Sequence, residues 1–204
     1  GVVVVLMASA SISSIILGRI FLKDAITANA SVGAALAIAG ISVIFGGDLQ
    51  QGFSLQGAAL ASVAGCGYGA FSVAMKRMGV SGGLHFTRQL LLFGGLYLLM
   101  PAAADGFTMG ELSPLAIATL LALATLPTIL GFFCTTKAIE YLKPSQVQAL
   151  ELTEPLFAAL LAFVALNEVP RDSLYAGAAL IILGLCFSNE LIRLGSKASV
   201  PSIE

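Results

Sequence analysis

The stretch ELTEPLFAALLAF, residues 151–163, places two carboxylates and a proline inside a long apolar run. Glu151 and Glu154 are three residues apart, and Gln148 lies three before Glu151. On a helix that spacing shares one face, so the three are expected to form a single polar stripe. Pro155 lacks the N–H that would bond the carbonyl of Glu151 and is expected to kink the helix there. The freed carbonyl is one more polar group that water, a neighbouring helix or a substrate can satisfy. Two carboxylates this close in a low dielectric resist double ionisation, so at least one is expected to hold a proton. Such a site suits recognition of an amine or coupling to protons. The competing reading is structural, with a neutral Glu154 hydrogen-bonding across helices to hold a bundle together.

Either reading requires a membrane around these residues. Of 204 residues, 58% are apolar and 10% charged, against about 25% charged in an ordinary soluble domain. Mean hydropathy is +0.98. Runs of about 20 apolar residues, enough to cross a bilayer, are expected at Val2–Leu22, Ala28–Phe45, Phe53–Met75, Phe86–Ala104, Pro114–Thr136, Ser145–Leu166 and Ser173–Ile192. A soluble helix bundle fails because the polar stripe of an amphipathic helix is missing almost everywhere. Short separators such as KDAITAN, GGDLQQG and NEVPRD carry the breakers. The net charge of -1 and the lack of a basic cluster point away from nucleic acid.

Lysine and arginine set the orientation, since they concentrate on the cytoplasmic side. With the C-terminus inside, Arg19, Lys23, Lys76, Arg77, Arg88, Lys137, Lys143, Arg193 and Lys197 all fall inside, and Arg171 alone falls outside. From the inner start near Ser145, a rise of 1.5 Å per residue puts Glu151 about 9 Å deep and Glu154 about 14 Å. Glu154 is then near the midplane of a core roughly 30 Å thick. An acid there costs on the order of 2.5–3.5 kcal/mol to insert, so the stripe should face the bundle or a wet cavity.

The chain also repeats itself. Sliding it by 144 residues lays residues 1–45 over 145–189 without a gap, with ten identities. These include Leu22 over Leu166, Gly33-Ala34-Ala35-Leu36 over Gly177-Ala178-Ala179-Leu180, and Gly40 over Gly184; Asp24 lies over Glu168. By the charge count the first copy runs outside to inside and the second inside to outside, an inverted repeat of the kind many secondary transporters use. The offset spans five helices. The expected fold is therefore all-α, a polytopic membrane helical bundle of inverted five-helix repeats, with seven spans present of an expected ten. Residues 1–46 would be the last two helices of the first repeat, 53–192 a complete second repeat, and 193–204 a cytoplasmic tail. The same arithmetic expects about 90 further residues upstream, for a protein of roughly 300.

PSQVQALELTEPLFAALLAFVALNEVPRDSLYAGAALIILGL resembles the closing two helices of an EamA domain in the drug/metabolite transporter superfamily. The shared features are the mid-helix Glu154-Pro155, the turn Leu166-Asn167-Glu168 and a glycine-bearing last helix. Residues 1–46 resemble the same motif, with Lys23-Asp24 at the turn but Ala10-Ser11 in place of Glu154-Pro155. The resemblance implies two EamA repeats and movement of small metabolites or drugs across a bacterial inner membrane, with export of amino acids or related metabolites the commonest expectation.

Other polar residues carry weaker signals. Lys137, after Thr135 and Thr136, reads as a snorkelling anchor rather than a counter-ion to Glu151. His85, the single histidine, reads as a loop residue rather than a proton relay. Asp24 and Glu168 read as helix-start charges. Gly65, Gly67 and Gly69 allow close helix approach, Pro127 should kink the fifth span, and Tyr68 reads as packing rather than pathway. Cys66, Cys134 and Cys186 lack CxxC spacing and read as reduced core thiols, with no metal, disulfide or other cofactor expected.

These readings favour a secondary transporter working by alternating access. Its partners would be a small-molecule substrate, the lipid bilayer and a proton as coupling ion, with Gln148, Glu151 and Glu154 lining the pathway near the kinks at Pro127 and Pro155. An embedded enzyme would want motifs such as HExxH or GxSxG, which are absent. A seven-span receptor or assembly protein would leave the inverted repeat unexplained.

Overall fold

A computed structural model describes residues 2–46, 54–104, 106 and 113–192. Phe53, Arg193, Lys197 and the tail 193–204 lie outside the described residues. The order is α1 Val2–Met7, α2 Ser9–Leu17 with a π-helical turn Gly18–Leu22, α3 Ala28–Phe45, α4 Leu55–Arg77, α5 Leu84–Ala104, α6 Pro114–Leu123, a π segment Ala124–Leu130, α7 Gly131–Tyr141, α8 Pro144–Glu151, α9 Glu154–Leu166 and α10 Asp172–Ser188. No strand occurs among the described residues. This is an all-α polytopic helical bundle.

Five of the expected spans are long and apolar enough to cross a membrane: Val4–Leu22, Ala28–Phe45, Leu55–Arg77, Pro114–Tyr141 and Pro144–Leu166. Asp172–Ser188 is shorter, at 17 residues. Leu84–Ala104 opens with His85, Thr87, Arg88 and Gln89 in its first turns, which dilutes its apolar character. Helix boundaries follow local chemistry. The Thr27 hydroxyl accepts from the Ala30 N–H at 3.1 Å and starts α3, and Ser113 does the same for α6, ahead of Pro114.

The chain forms two compact units, residues 1–77 with 143–204, and residues 78–142. In the first, α3 and α10 are packed backbone to backbone. A methyl on Gly33 would meet the Gly184 carbonyl at 2.6 Å, and one on Gly184 would meet the Gly33 carbonyl at 2.6 Å. Gly40 and Gly177 stand in the same reciprocal relation, again at 2.6 Å. Gly33 is the repeat counterpart of Gly177, and Gly40 of Gly184. Contacts of i with j′ and j with i′ are the signature of a two-fold axis. The axis passes beside Ala37 and Ile181, themselves counterparts, both 0% exposed. Pairing the early glycine of one helix with the late glycine of the other makes them antiparallel.

The symmetry extends to the preceding helices. The helix ends at Met7 in the first copy and at its counterpart Glu151 in the second. Lys23 and Asn167, also counterparts, both adopt left-handed backbone at helix ends, with φ of 59° and 56°. Helix α4 packs along α1 and α2. A methyl on Gly65 would meet the Met7 carbonyl at 2.8 Å, and one on Gly69 the Ser14 nitrogen at 3.1 Å, whereas Gly67 meets nothing within 4 Å. Small residues at i and i+4 let membrane helices approach this closely. The Ser9 and Ser13 hydroxyls complete the seam by donating to the carbonyls of Ser62 and Cys66 at 3.3 and 3.2 Å. Arg77 lies 5.0 Å over the Phe21 ring, so the ends of the first and third spans, which the charge pattern puts on one side, meet.

In the second unit, Gly82 abuts the Thr136 carbonyl, and the helix expected to stop at Thr136 runs on to Tyr141. The extension carries its own polar pair, Lys137 Nζ to Glu140 at 3.1 Å, and Ser81 donates to the same carboxylate at 3.0 Å.

Candidate functional site

Helix α8 begins where Lys143 donates its backbone N–H to Gln146 Oε1 at 3.1 Å, with Pro144 at the first helical position. It ends after only eight residues, at Glu151. Leu152 and Thr153 form the break, their N–H groups bonding three residues back to Ala149 and Leu150 at 3.2 and 3.0 Å. The Thr153 hydroxyl donates to the Leu150 carbonyl at 2.6 Å. Pro155 then sits in the first turn of α9, where its missing N–H has no intrahelical partner to lose.

Gln148 is 2% exposed and donates from Nε2 to Ser72 Oγ at 3.1 Å. Ser72, 0% exposed, donates in turn to the Tyr68 main-chain carbonyl at 3.2 Å. The Tyr68 hydroxyl donates to Glu151 Oε1 at 2.9 Å. Two side chains one turn apart on α4 thus meet two side chains one turn apart on α8, with the helices running in opposite directions. The Tyr68 ring is stacked on Phe71, centroids 6.2 Å apart, which fixes where its hydroxyl points. The result is two polar contacts side by side between α4 and α8, the buried Gln148–Ser72 pair and the half-buried Tyr68–Glu151 pair, with Ser72 also bonded to the Tyr68 main-chain carbonyl.

Glu154 stands apart from this chain. The break at Leu152 and Thr153 lies between the two glutamates. Gln148 is buried, Glu151 half-buried and Glu154 exposed. Of the sequence-derived candidates the structure brings Gln148 and Glu151 into one network and puts Glu154 on the surface of α9. It adds Tyr68, which the sequence suggested as packing, and Ser72, which was not singled out. The available signal was periodicity: residues 65, 68, 69 and 72 fall at i, i+3, i+4 and i+7, one face of one helix.

The remaining candidates settle elsewhere. Pro127 lies inside the π segment Ala124–Leu130, where Thr128 Oγ1 bonds the Leu123 carbonyl at 3.0 Å. Lys137 is paired with Glu140. His85 is in the first turn of α5, not in a loop, because the helix starts at Leu84; its Nε2 is 3.2 Å from Gln89 Nε2. Cys66 and Cys134 are exposed rather than in the core, and Cys186 is half-buried. They lie on helices whose outer faces are themselves apolar, so hydrophobic surroundings in the sequence did not mean burial within the chain. A cavity of about 30 Å³, the size of one water, is lined by Ser14, Gly18, Asp24, Lys143, Gln146 and Glu190 among others, away from Glu151.

Residues 55–189 match the EamA-like transporter family. The chain is 30% identical over 194 residues to a probable terminal-alkyne amino-acid exporter from Streptantibioticus cattleyicolor, covering 93% of this chain and 64% of that protein. It is 25% identical over 154 residues to the uncharacterized transporter YwfM of Bacillus subtilis, covering 76% of this chain and 52% of that protein. The chain therefore spans between half and two thirds of the length of these relatives. No solved structure matches.

Proposed function

The chain belongs to the EamA-like transporter family, and we propose that the full protein is a secondary transporter that exports small metabolites such as amino acids or drugs. It is a multi-pass membrane protein; the proposal places it in a bacterial inner membrane with its C-terminus cytoplasmic. Two inverted repeats, rocking about the α3–α10 axis, would expose the site to each side in turn. The observation that carries the reading is the Tyr68–Glu151 hydrogen bond at 2.9 Å, beside the buried Gln148–Ser72 pair.

A carboxylate part-way along a membrane helix is functional by default. Glu151 ends a helix at a break, where the Ala149 and Leu150 carbonyls are already engaged by Leu152 and Thr153. The carboxylate itself would receive an ammonium group, as on an amino acid. The Tyr68 hydroxyl holds the carboxylate when the amine is absent. A proton competing for Glu151 would give coupling: protonation releases the amine on one side, and deprotonation prepares the site on the other. The breaks at Ala8 and Leu152 and the π segment around Pro127 supply places where the helices can flex.

The test is amino-acid efflux or counterflow in membrane vesicles carrying the protein made from its complete native gene. Glu151→Gln should abolish transport at normal membrane abundance. Normal transport by that variant would reject the site. Loss of abundance together with transport would assign Glu151 to holding the bundle.

A further inference from the structure

The two-fold that relates α3 to α10 also relates two crevices. The water-sized cavity at the turn between α2 and α3 is lined by Ile15, Gly18, Asp24, Ala25, Thr27 and Ala30. Their counterparts Ala159, Ala162, Glu168, Val169, Arg171 and Leu174 line a groove at the turn between α9 and α10. The first crevice has further walls in Lys143, Gln146 and Glu190 and holds about 30 Å³; the second holds about 360 Å³. The first thus receives an ammonium and a carboxylate from the chain itself, beside Asp24. In the second, Glu168 takes the place of Asp24, Arg171 follows on the same turn, and the remaining wall is apolar apart from Ser173. Pro170 and Leu174 also line a neighbouring groove of about 270 Å³, with Leu156, Leu160 and Phe163 along α9. The two grooves therefore flank Pro170 and Leu174.

We infer that this place holds one molecule of phosphatidylethanolamine, with an acyl chain in each groove, its phosphate on Arg171 and its ammonium on Glu168. Depth and charge both select this occupant. Helix α9 ends at Leu166, so a rise of 1.5 Å per residue puts Ala159 about 10 Å and Leu156 about 15 Å from the charged turn. One leaflet of a core roughly 30 Å thick is about 15 Å deep, so the grooves run the length of an acyl chain. A guanidinium pairs with phosphate through two parallel hydrogen bonds. A primary ammonium on Glu168 repeats the juxtaposition of Lys143 and Asp24 in the first crevice. A choline headgroup has no N–H to donate, and a glycerol headgroup brings net negative charge to Glu168 with no cation. A soluble zwitterion would leave Ile44, Phe45 and Leu174 uncovered. Under the orientation proposed above, the lipid belongs to the outer leaflet.

The test counts lipid on the protein made from its complete native gene. The protein is stripped of lipid in mild detergent and titrated with dioleoyl phosphatidylethanolamine, phosphatidylglycerol or phosphatidylcholine, and bound molecules are read by native mass spectrometry. One phosphatidylethanolamine should be held about tenfold more tightly than either other lipid, the worth of one hydrogen bond to a charged group. Arg171→Gln should weaken all three by a similar factor; the Arg171 side chain does not cap α10, so the helix start survives its loss. Glu168→Gln should erase the preference for ethanolamine over glycerol. Ala159→Phe fills the larger groove and should weaken retention, while Leu98→Phe, at an exposed position on α5, should not. Equal retention of the three lipids would overturn the inference, as would retention indifferent to Arg171→Gln and Ala159→Phe. Displacement by glycerophosphoethanolamine, the same headgroup without chains, would assign the groove to a soluble zwitterion and overturn it too. The count needs no transport, so a failed Glu151 site leaves it standing.

Discussion

Residues 2–45 and 146–189 break their first helix at the same register position, Ala8 in one and Leu152 in the other. They end the next segment with a left-handed residue at the same register position, Lys23 and Asn167, and cross at equivalent glycines. Their side chains around the break differ. Copy one has Val4 and Met7 where copy two has Gln148 and Glu151, and Ser11 where copy two has Pro155. The comparison separates backbone from chemistry. A helix break without proline in copy one means that the fold imposes the break and Pro155 fits it. The polar network is present in copy two alone, so it is not needed to make the break. In copy one Val4 and Met7 are exposed, and the Ser9 and Ser13 hydroxyls bond backbone carbonyls of α4 instead.

The largest effect should come from the crossing both copies share. Gly184→Leu and Gly33→Leu push a side chain into a carbonyl already 2.6 Å from where the first carbon would lie. Overpacking costs about 1–3 kcal/mol or more, and here two backbones must part, so folded protein recovered in mild detergent should fall sharply. Gly67→Leu, with open space around it, should be tolerated; equal damage at all three would remove the two-fold from the account.

Next in size are the two glutamates. Glu151→Gln should stop transport with abundance retained, whereas Glu154→Gln, beyond the break, should leave a larger residual rate. Reversed severities would move the site past the break. Pro155→Ala should matter less. Pro155 stands in the first turn of α9, where a proline loses no intrahelical bond, and copy one forms the break without one, so the variant's melting temperature in detergent should change only slightly. The smallest effect is at the caps. Lys23→Gly removes a left-handed penalty of about 1–2 kcal/mol and should stabilise, while Asn167→Gly, replacing a residue that tolerates that conformation, should gain less.

Much of the fold was legible because hydropathy, charge and the repeat agree. The GAAL block was legible as part of the repeat, and the structure puts its glycines at the α3–α10 crossing, where only small residues allow two backbones so close. The half-network Gln148–Glu151 was legible from spacing on one helix. Its other half was not. Tyr68 and Ser72 lie on α4, 83 and 76 residues away in sequence from their partners, and helical spacing is silent about which helices meet. The single stripe expected through Glu154 did not anticipate the break at Leu152 and Thr153, past which Glu154 is exposed. A proline predicts a kink, but the register on either side depends on tertiary packing.

The most direct measurement is a double-mutant cycle on transport by the full-length protein, comparing Tyr68→Phe, Glu151→Gln and the pair together. If hydroxyl and carboxylate act as one site, the double variant will be no more impaired than the worse single one. If the two losses multiply instead, the residues act independently, and the Tyr68–Glu151 contact does not form the transport site.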